Sequence, residues 1–306
     1  MAALAGTNVE PPLRAMRWLA TDAPASRALG TAPPECLAPP RDPQAALAVE
    51  VGRAAFRTPV LLGGQAARSG LSCESCHRAG RDNPDFLFPG VSGAPGTADV
   101  TSSLFSTHRG DGVDDPRPIP DLGGPKARLK VGQAPGDPAL ATFIHGLVTE
   151  EFDGPEPPPA VLAGLAAYVR ALDPAACAGL GRQALDVQGL MSDARRALAA
   201  AAALAQRGDQ AGAGVMVAGA RARLGLIDER YAAPVLAGPR ARLRAADARL
   251  AAIAQGLRES RPRARADIAR WLAASRPLEA ELARRERESL FDSSRLQLAA
   301  GRRLLR

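Results

Sequence analysis

Cys73-Glu74-Ser75-Cys76-His77 decides the reading of this chain, because two thiols three residues apart followed at once by an imidazole form the pattern that attaches a c-type haem. Each thiol can form a thioether to one porphyrin vinyl group, and the adjacent His then lies under the iron as proximal ligand. The expected cofactor is therefore one covalent haem c held by Cys73, Cys76 and His77. Two other chemistries use paired thiols. A thioredoxin-like pair sits between a strand and a helix, and residues 54–70 and 80–96 show no strand alternation. A structural zinc site needs a second thiol pair or a His pair, and the remaining thiols, Cys36 and Cys177, have no close partners in sequence.

Outward from the motif the pattern is helical. Asp42-Pro43 supplies an N-cap and a first-turn proline, and Leu47, Val51, Ala54 and Ala55 recur at helical spacing up to Phe56. From Gly80 to Gly136 the chain is rich in Gly, Pro, Asp, Ser and Thr, a composition that elsewhere suggests disorder. Here a porphyrin would supply the apolar surface on which Phe86, Leu87, Phe88, Val91, Leu104, Phe105 and Ile119 pack. Helical order resumes at Asp137-Pro138, with Leu140, Phe143, Ile144, Leu147, Val148 and Phe152 on one stripe. After the turn at 153–159, Val161, Leu162, Leu165, Tyr168, Val169 and Leu172 make a second, ended by Asp173-Pro174.

Beyond Leu185 the sequence predicts helices over Leu185 to Arg207, Gly214 to Tyr231, Pro239 to Ser260, Pro262 to Ser275 and Pro277 to Leu305, broken at Gly or Pro. Leu243, Ala246, Leu250, Ile253 and Leu257 form a coiled-coil-like seam, and short connections favour an antiparallel bundle. The expected fold class is all-α. A Pro-rich extended arm over 1–45, containing Pro11 and Pro12 and one short helix around Leu13 to Leu19, leads into a cytochrome c-like haem domain with long loops over 46–184. An Ala/Arg-rich helical domain over 185–306 follows, with the boundary near Gly179 to Gln183.

Charge divides the same way: residues 1–184 carry a net −3 and residues 185–306 a net +10, giving +7 overall. The basic half has no nucleic-acid reader motif and almost no aromatic residue to stack bases, so nucleic acid is not an expected partner. Its Arg residues mostly alternate with acids, the pattern of a solvated helix face. The functional alternative is docking to an acidic redox partner protein or to an anionic membrane surface. No stretch reaches the eighteen or so apolar residues of a transmembrane helix. Bacterial haem is joined to this motif outside the cytoplasmic membrane, so a periplasmic location is expected. Met1 to Gly6 is too short for a secretory signal, which leads to the expectation of a longer reading frame with an upstream apolar stretch. An oxidising compartment would also allow a Cys36–Cys177 disulfide, closing a loop of about 140 residues and contributing up to roughly 5 kcal/mol. The alternative is two separate buried thiols.

Gly52-Arg53-Ala54-Ala55-Phe56 ahead of the motif, Ser72 just before the first Cys, Ile119-Pro120-Asp121-Leu122, and the closing Phe152-Asp153-Gly154 with Ala167-Tyr168-Val169-Arg170-Ala171-Leu172 are the residues that carry a resemblance. Over roughly residues 45–175 the chain resembles the bacterial di-haem cytochrome c peroxidase and MauG-like group. That resemblance implies a c-type haem domain with a redox function, and a peroxidase-like oxidoreductase as the alternative to electron transfer. The chain departs from the group in having one haem motif and no Met between Met16 and Met191, so a di-haem mechanism does not carry over.

With His77 proximal, His108 and His145 are the imidazoles left for the sixth position on iron. His108 is favoured, because its Gly-rich loop could aim the side chain at iron; His145 or an open position are the alternatives. Two strong axial ligands restrict iron to outer-sphere electron transfer, whereas an open position admits peroxide. In the open case His108 with Arg109, or Glu150 or Glu151, could supply acid–base and charge-stabilising groups. The ordinary reading of Glu150 and Glu151 is a solvated surface, and of Arg109 a haem-propionate partner.

Overall fold

The computed structural model describes residues 13–124, 127 and 129–304. The stretch Met1 to Gly6, Pro11, Pro12 and Leu305 lie outside the described residues. The all-α expectation holds. The helices are α1 (Ala25–Gly30), α2 (Pro43–Phe56), α3 (Gly64–Arg68), α4 (Cys73–Cys76), α5 (Ala139–Gly146), α6 (Pro159–Ala171), α7 (Val187–Gln206), α8 (Gln210–Arg230), α9 (Ala237–Arg258), α10 (Ala264–Arg284) and α11 (Ser293–Leu304). Four two-residue strands form two antiparallel pairs, β1 (Thr31–Ala32) with β4 (Gln183–Ala184), and β2 (Thr97–Ala98) with β3 (Arg117–Pro118).

Asp42 caps α2 as its sequence indicates, accepting from the Ala45 amide at 2.7 Å with Pro43 in the first turn. Helices α2 and α6 cross at Gly52 and Gly164. A Cβ on Gly52 would lie 1.9 Å from the Gly164 carbonyl oxygen and 2.7 Å from Tyr168 Cβ, so only glycine permits this approach. Val51, Ala55 and Phe56 of α2 and Val161, Leu165 and Tyr168 of α6 join Leu198 of α7, Leu224 of α8, Leu250 of α9 and Trp271 of α10 in one apolar cluster. Each such Leu or Phe, fully buried, contributes on the order of 2 kcal/mol. The exposed turn at 179–183 marks the sequence boundary, yet the core passes from the motif-bearing half into the bundle without interruption.

The seam Leu243, Ala246, Leu250, Ile253 and Leu257 is buried throughout. One expected break is absent: α10 runs through Pro277. Pro277 and Ala273, whose carbonyl loses its helical donor, are both exposed, so water can satisfy that oxygen. The buried Trp271 and Leu282 on the core side hold the two halves in line.

The arm is more structured than its prolines suggest. A turn of 3-10 helix over Arg14–Trp18 lies where one short helix was expected, and α1 is additional. Six residues show no readable periodicity; Ala28 and Leu29 are ordered by packing with Leu13, Met16 and Leu296 of α11. Cys36 and Cys177 are joined in a disulfide with their Cα atoms 5.5 Å apart, pinning the arm to the end of α6. The apolar stripe expected to run as one helix from Leu140 to Phe152 instead ends α5 at Gly146 and continues as a π-helical turn over Leu147–Glu151. Among the described residues no helix is long and apolar enough to cross a membrane.

Candidate functional site

Ser72 and Ser75 build the thiol turn. Their side chains form a reciprocal capping box around the first turn of α4, with the Ser72 amide donating to Ser75 Oγ at 3.0 Å. The single turn presents Cys73 and Cys76, both free thiols, and its cap is His77, whose amide donates to the Cys73 carbonyl at 2.8 Å. Asn83 Nδ2 donates to the Ser75 carbonyl and closes the loop that follows. Gly80 is required in that loop: its φ is +75°, and a Cβ would meet Leu172 Cδ1 at 2.5 Å.

His77 is held from a distant segment. Its Nδ1 lies 3.0 Å from the Pro120 carbonyl oxygen, and since a carbonyl only accepts, Nδ1 carries the proton and Nε2 the lone pair. Asp121 locks that segment in place by accepting from the Asp82 amide at 2.9 Å and pairing with Arg81 at 3.1 Å, while the Leu122 amide donates to the Gly80 carbonyl. Burial lowers the His77 imidazole to about 4, the Pro120 hydrogen bond and Asp121 opposing it, so the ring is neutral at physiological pH. Burial likewise pushes Cys73 and Cys76 up to about 12, helped at Cys76 by its neighbour Cys73. That direction is opposite to the depressed values of redox-active thiol pairs.

Desolvation dominates all three groups, yet each keeps part of its surface accessible, with Cys73 packed against the main core and Cys76 against a separate aromatic cluster. That cluster contains Leu62, Leu71, Phe86, Phe88, Phe105 and Ile119, against which Cys76, Trp18 and Phe152 pack. Trp18 stacks on Phe88 at 4.5 Å, Phe88 meets Phe105 edge-on at 5.0 Å, and Phe105 meets Phe152 at 5.4 Å. Val91 belongs to the same cluster, Leu87 is half-buried, and Leu104 is exposed.

The structure leaves both candidate sixth ligands outside this cluster. His108 is exposed beside Asp153, Nε2 to Oδ1 4.0 Å, on a loop tied down by the Thr107 amide donating to Asp153 and by the His108 and Arg109 amides donating to Ser106 Oγ. His145 pairs with Glu156 at 2.8 Å. Arg109 pairs with Glu150. Glu151 differs from its neighbour: its Oε2 is buried without a hydrogen-bond partner, and burial raises its carboxyl above the usual range.

A second ionic cluster, which the sequence alone did not single out, lies behind the thiol turn. Glu35 accepts from Arg53 Nε at 2.5 Å, from Arg57 Nη2 at 2.6 Å and from the Tyr168 hydroxyl at 2.7 Å. Arg53 also pairs with Asp193 of α7 at 2.7 Å, and Glu74, inside the motif, stands 3.6 Å from Arg57. Burial pushes Glu35 up, but the charges of Arg57 and Arg53 and the Tyr168 hydrogen bond outweigh it and hold the carboxyl at about 2. The available signal was two Arg residues one turn apart on the otherwise apolar end of α2.

Among the described residues no group of three or more His, Cys, Asp and Glu stands together as a bare-ion site. The donor set fits a haem instead: two adjacent free thiols, a neutral imidazole with its lone pair on Nε2, and an aromatic cluster. Searches of family models, curated proteins and solved structures find no match to this chain.

Proposed function

We propose that the chain is a periplasmic mono-haem c-type cytochrome that passes electrons to or from a redox partner protein. The observation that carries the reading is the hydrogen bond from His77 Nδ1 to the Pro120 carbonyl. It fixes the tautomer that a metal-bound imidazole needs and orients the ring, as a second-shell acceptor does for ligating histidines. Cys73 and Cys76 would carry the thioethers and His77 the iron. When bound, the haem supplies a one-electron couple, and without a Met ligand its potential would sit below that of His/Met cytochromes. The chain's part would be to keep His77 neutral and to offer the cluster of Phe86, Phe88 and Phe105 as apolar packing for the group. The Cys36–Cys177 disulfide is consistent with an oxidising compartment.

A second reading, a MauG- or cytochrome c peroxidase-like oxidoreductase with an open iron, is favoured by one observation. Glu151, next to Phe152 of the aromatic cluster, is a half-buried carboxyl with one buried, unpartnered oxygen and a raised proton affinity, properties that suit a general acid. The optical spectrum separates the two. Low-spin bands in both oxidation states support electron transfer; a high-spin signal that changes with CO or peroxide, and is altered in Glu151→Gln, supports the enzyme. His108 could ligate iron only after leaving Asp153. A His108→Ala change that turns a low-spin spectrum high-spin identifies it as sixth ligand, and an unchanged spectrum eliminates it.

A further inference from the structure

We propose that the cleft between the thiol turn and the C-terminal bundle binds a small organic anion, a carboxylate or phosphate monoester on an apolar body, through Arg78 and through Arg223 and Arg230 of α8. Buried charges in proteins are ordinarily paired, and an unpaired one costs several kcal/mol. Arg53 and Arg57 obey that rule through Glu35 and Asp193. Arg78, Arg223 and Arg230 form no ion pair among the described residues: each donates to main-chain carbonyls, and Arg230 also lies 5.0 Å over the Phe291 ring. Arg78 reaches Ala28 and Thr31, Arg223 reaches Arg57 at 2.9 Å, and Arg230 reaches Leu29 at 2.8 Å and Leu226. The Nε atoms of Arg223 and Arg230 are buried with no hydrogen-bond partner.

Arg78, Arg223 and Arg230 all line one cleft of roughly 820 Å³, a volume within the range of small-molecule sites. Arg223 and Arg230 are seven residues apart on α8, which puts them on one face about 10 Å apart along the axis. Leu13, Trp18, Leu19 and Phe86 give the cleft an apolar wall. Burial lowers Arg223 to about 10, Arg57 adding to the shift and Asp193 and Glu74 opposing it, and burial lowers Arg230 to about 10, Glu229 opposing and Arg78 adding. Most carboxylates in the cleft are already committed, Glu35 and Asp193 as above, Asp228 to Arg240 and Arg244, and Glu229 to Arg14. Glu74 Oε2 faces Arg57 Nε at 3.6 Å without a hydrogen bond.

The cleft borders the thiol turn and shares Trp18 and Phe86 with the apolar cluster behind Cys76. It is lined by Glu74 and Ser75, the residues between the thiols, and not by Cys73, Cys76 or His77. The arginines of the inference are residues other than those three, and the test reads anion binding directly rather than the haem.

The test is isothermal titration of the full-length protein, with whatever cofactor it carries, using phenyl phosphate and sodium octanoate as probes and octan-1-ol as the neutral control. Saturable binding of one anionic probe at one site is expected, with octan-1-ol at least tenfold weaker; the stronger probe tells phosphate from carboxylate. Arg223→Met should lose at least tenfold in affinity while its ligand-free Tm stays level or rises, since removing an unpaired buried charge relieves the fold. A merely structural arginine would instead lower Tm and leave binding unchanged. If Arg223→Met does not fold, the parent's Tm serves: a rise with the anionic probe and none with octan-1-ol supports the site. Absence of saturable binding, equal affinity for octan-1-ol, unchanged binding in a folded Arg223→Met, or no Tm shift overturns it.

Discussion

The imidazole of His77 is oriented by the carbonyl of Pro120, 43 residues further along the chain, through a 3.0 Å hydrogen bond from Nδ1. That carbonyl is itself fixed, because Asp121 is bonded to the Asp82 amide and paired with Arg81 in the loop that follows the thiol turn. A segment that looks unstructured by composition thus closes on the motif it serves.

Asp121→Ala should loosen this clamp. It removes a charged acceptor from a buried site and leaves the Asp82 amide without its partner, at a cost of about 2 kcal/mol. Urea unfolding would show the midpoint fall at an unchanged slope; an unaltered midpoint would mean that Asp121 holds nothing.

Glu35 gives the fold a defined acid sensitivity. Its carboxyl is held at about 2 against an ordinary 4.5, so its stabilisation is complete above about 4.5 and is lost as pH falls toward about 2. The span of about 2.5 pH units corresponds to at most about 3 kcal/mol. Glu35→Gln should lower stability at neutral pH, since Arg53 and Arg57 lose a buried partner, and should flatten the pH dependence in that window. Thermal melts of both proteins across the acid range check it; parallel curves would contradict the assignment.

The Cys36–Cys177 bridge spans 141 residues. Replacing both residues with Ser should cost roughly 2–5 kcal/mol. The same pair predicts that denatured, unreduced protein without haem exposes two thiols rather than four, which thiol titration counts.

Gly52→Ala should be among the most damaging single-methyl additions. The new Cβ would collide with the Gly164 backbone, and separating α2 from α6 would move Tyr168 off Glu35. A loss of about 3 kcal/mol is expected in denaturant unfolding.

Helices whose starts carry a cap, such as α2 at Asp42-Pro43, or whose seam repeats, such as α9, were legible because local chemistry and long-range packing agree there. The run of α10 through Pro277 was not, since whether a freed carbonyl meets water depends on which face is buried. Neither was the π-helical turn at Leu147–Glu151, where tertiary contact of Phe152 with Phe105 overrides the helical stripe. At the site, the thiols and His77 were explicit in spacing alone. The Pro120 carbonyl is a backbone acceptor that any residue type could supply, and of the Glu35–Arg53–Arg57–Tyr168 cluster only the Arg53–Arg57 spacing is local, its partners lying far apart in sequence.

The decisive measurement is the intact mass and visible spectrum of the chain after expression through a c-type haem maturation system. Covalent capture at Cys73 and Cys76 predicts a mass increased by one haem, a haemochrome spectrum that survives denaturation, and no free thiol at either position. A colourless protein of polypeptide mass, with both thiols titratable, would contradict it.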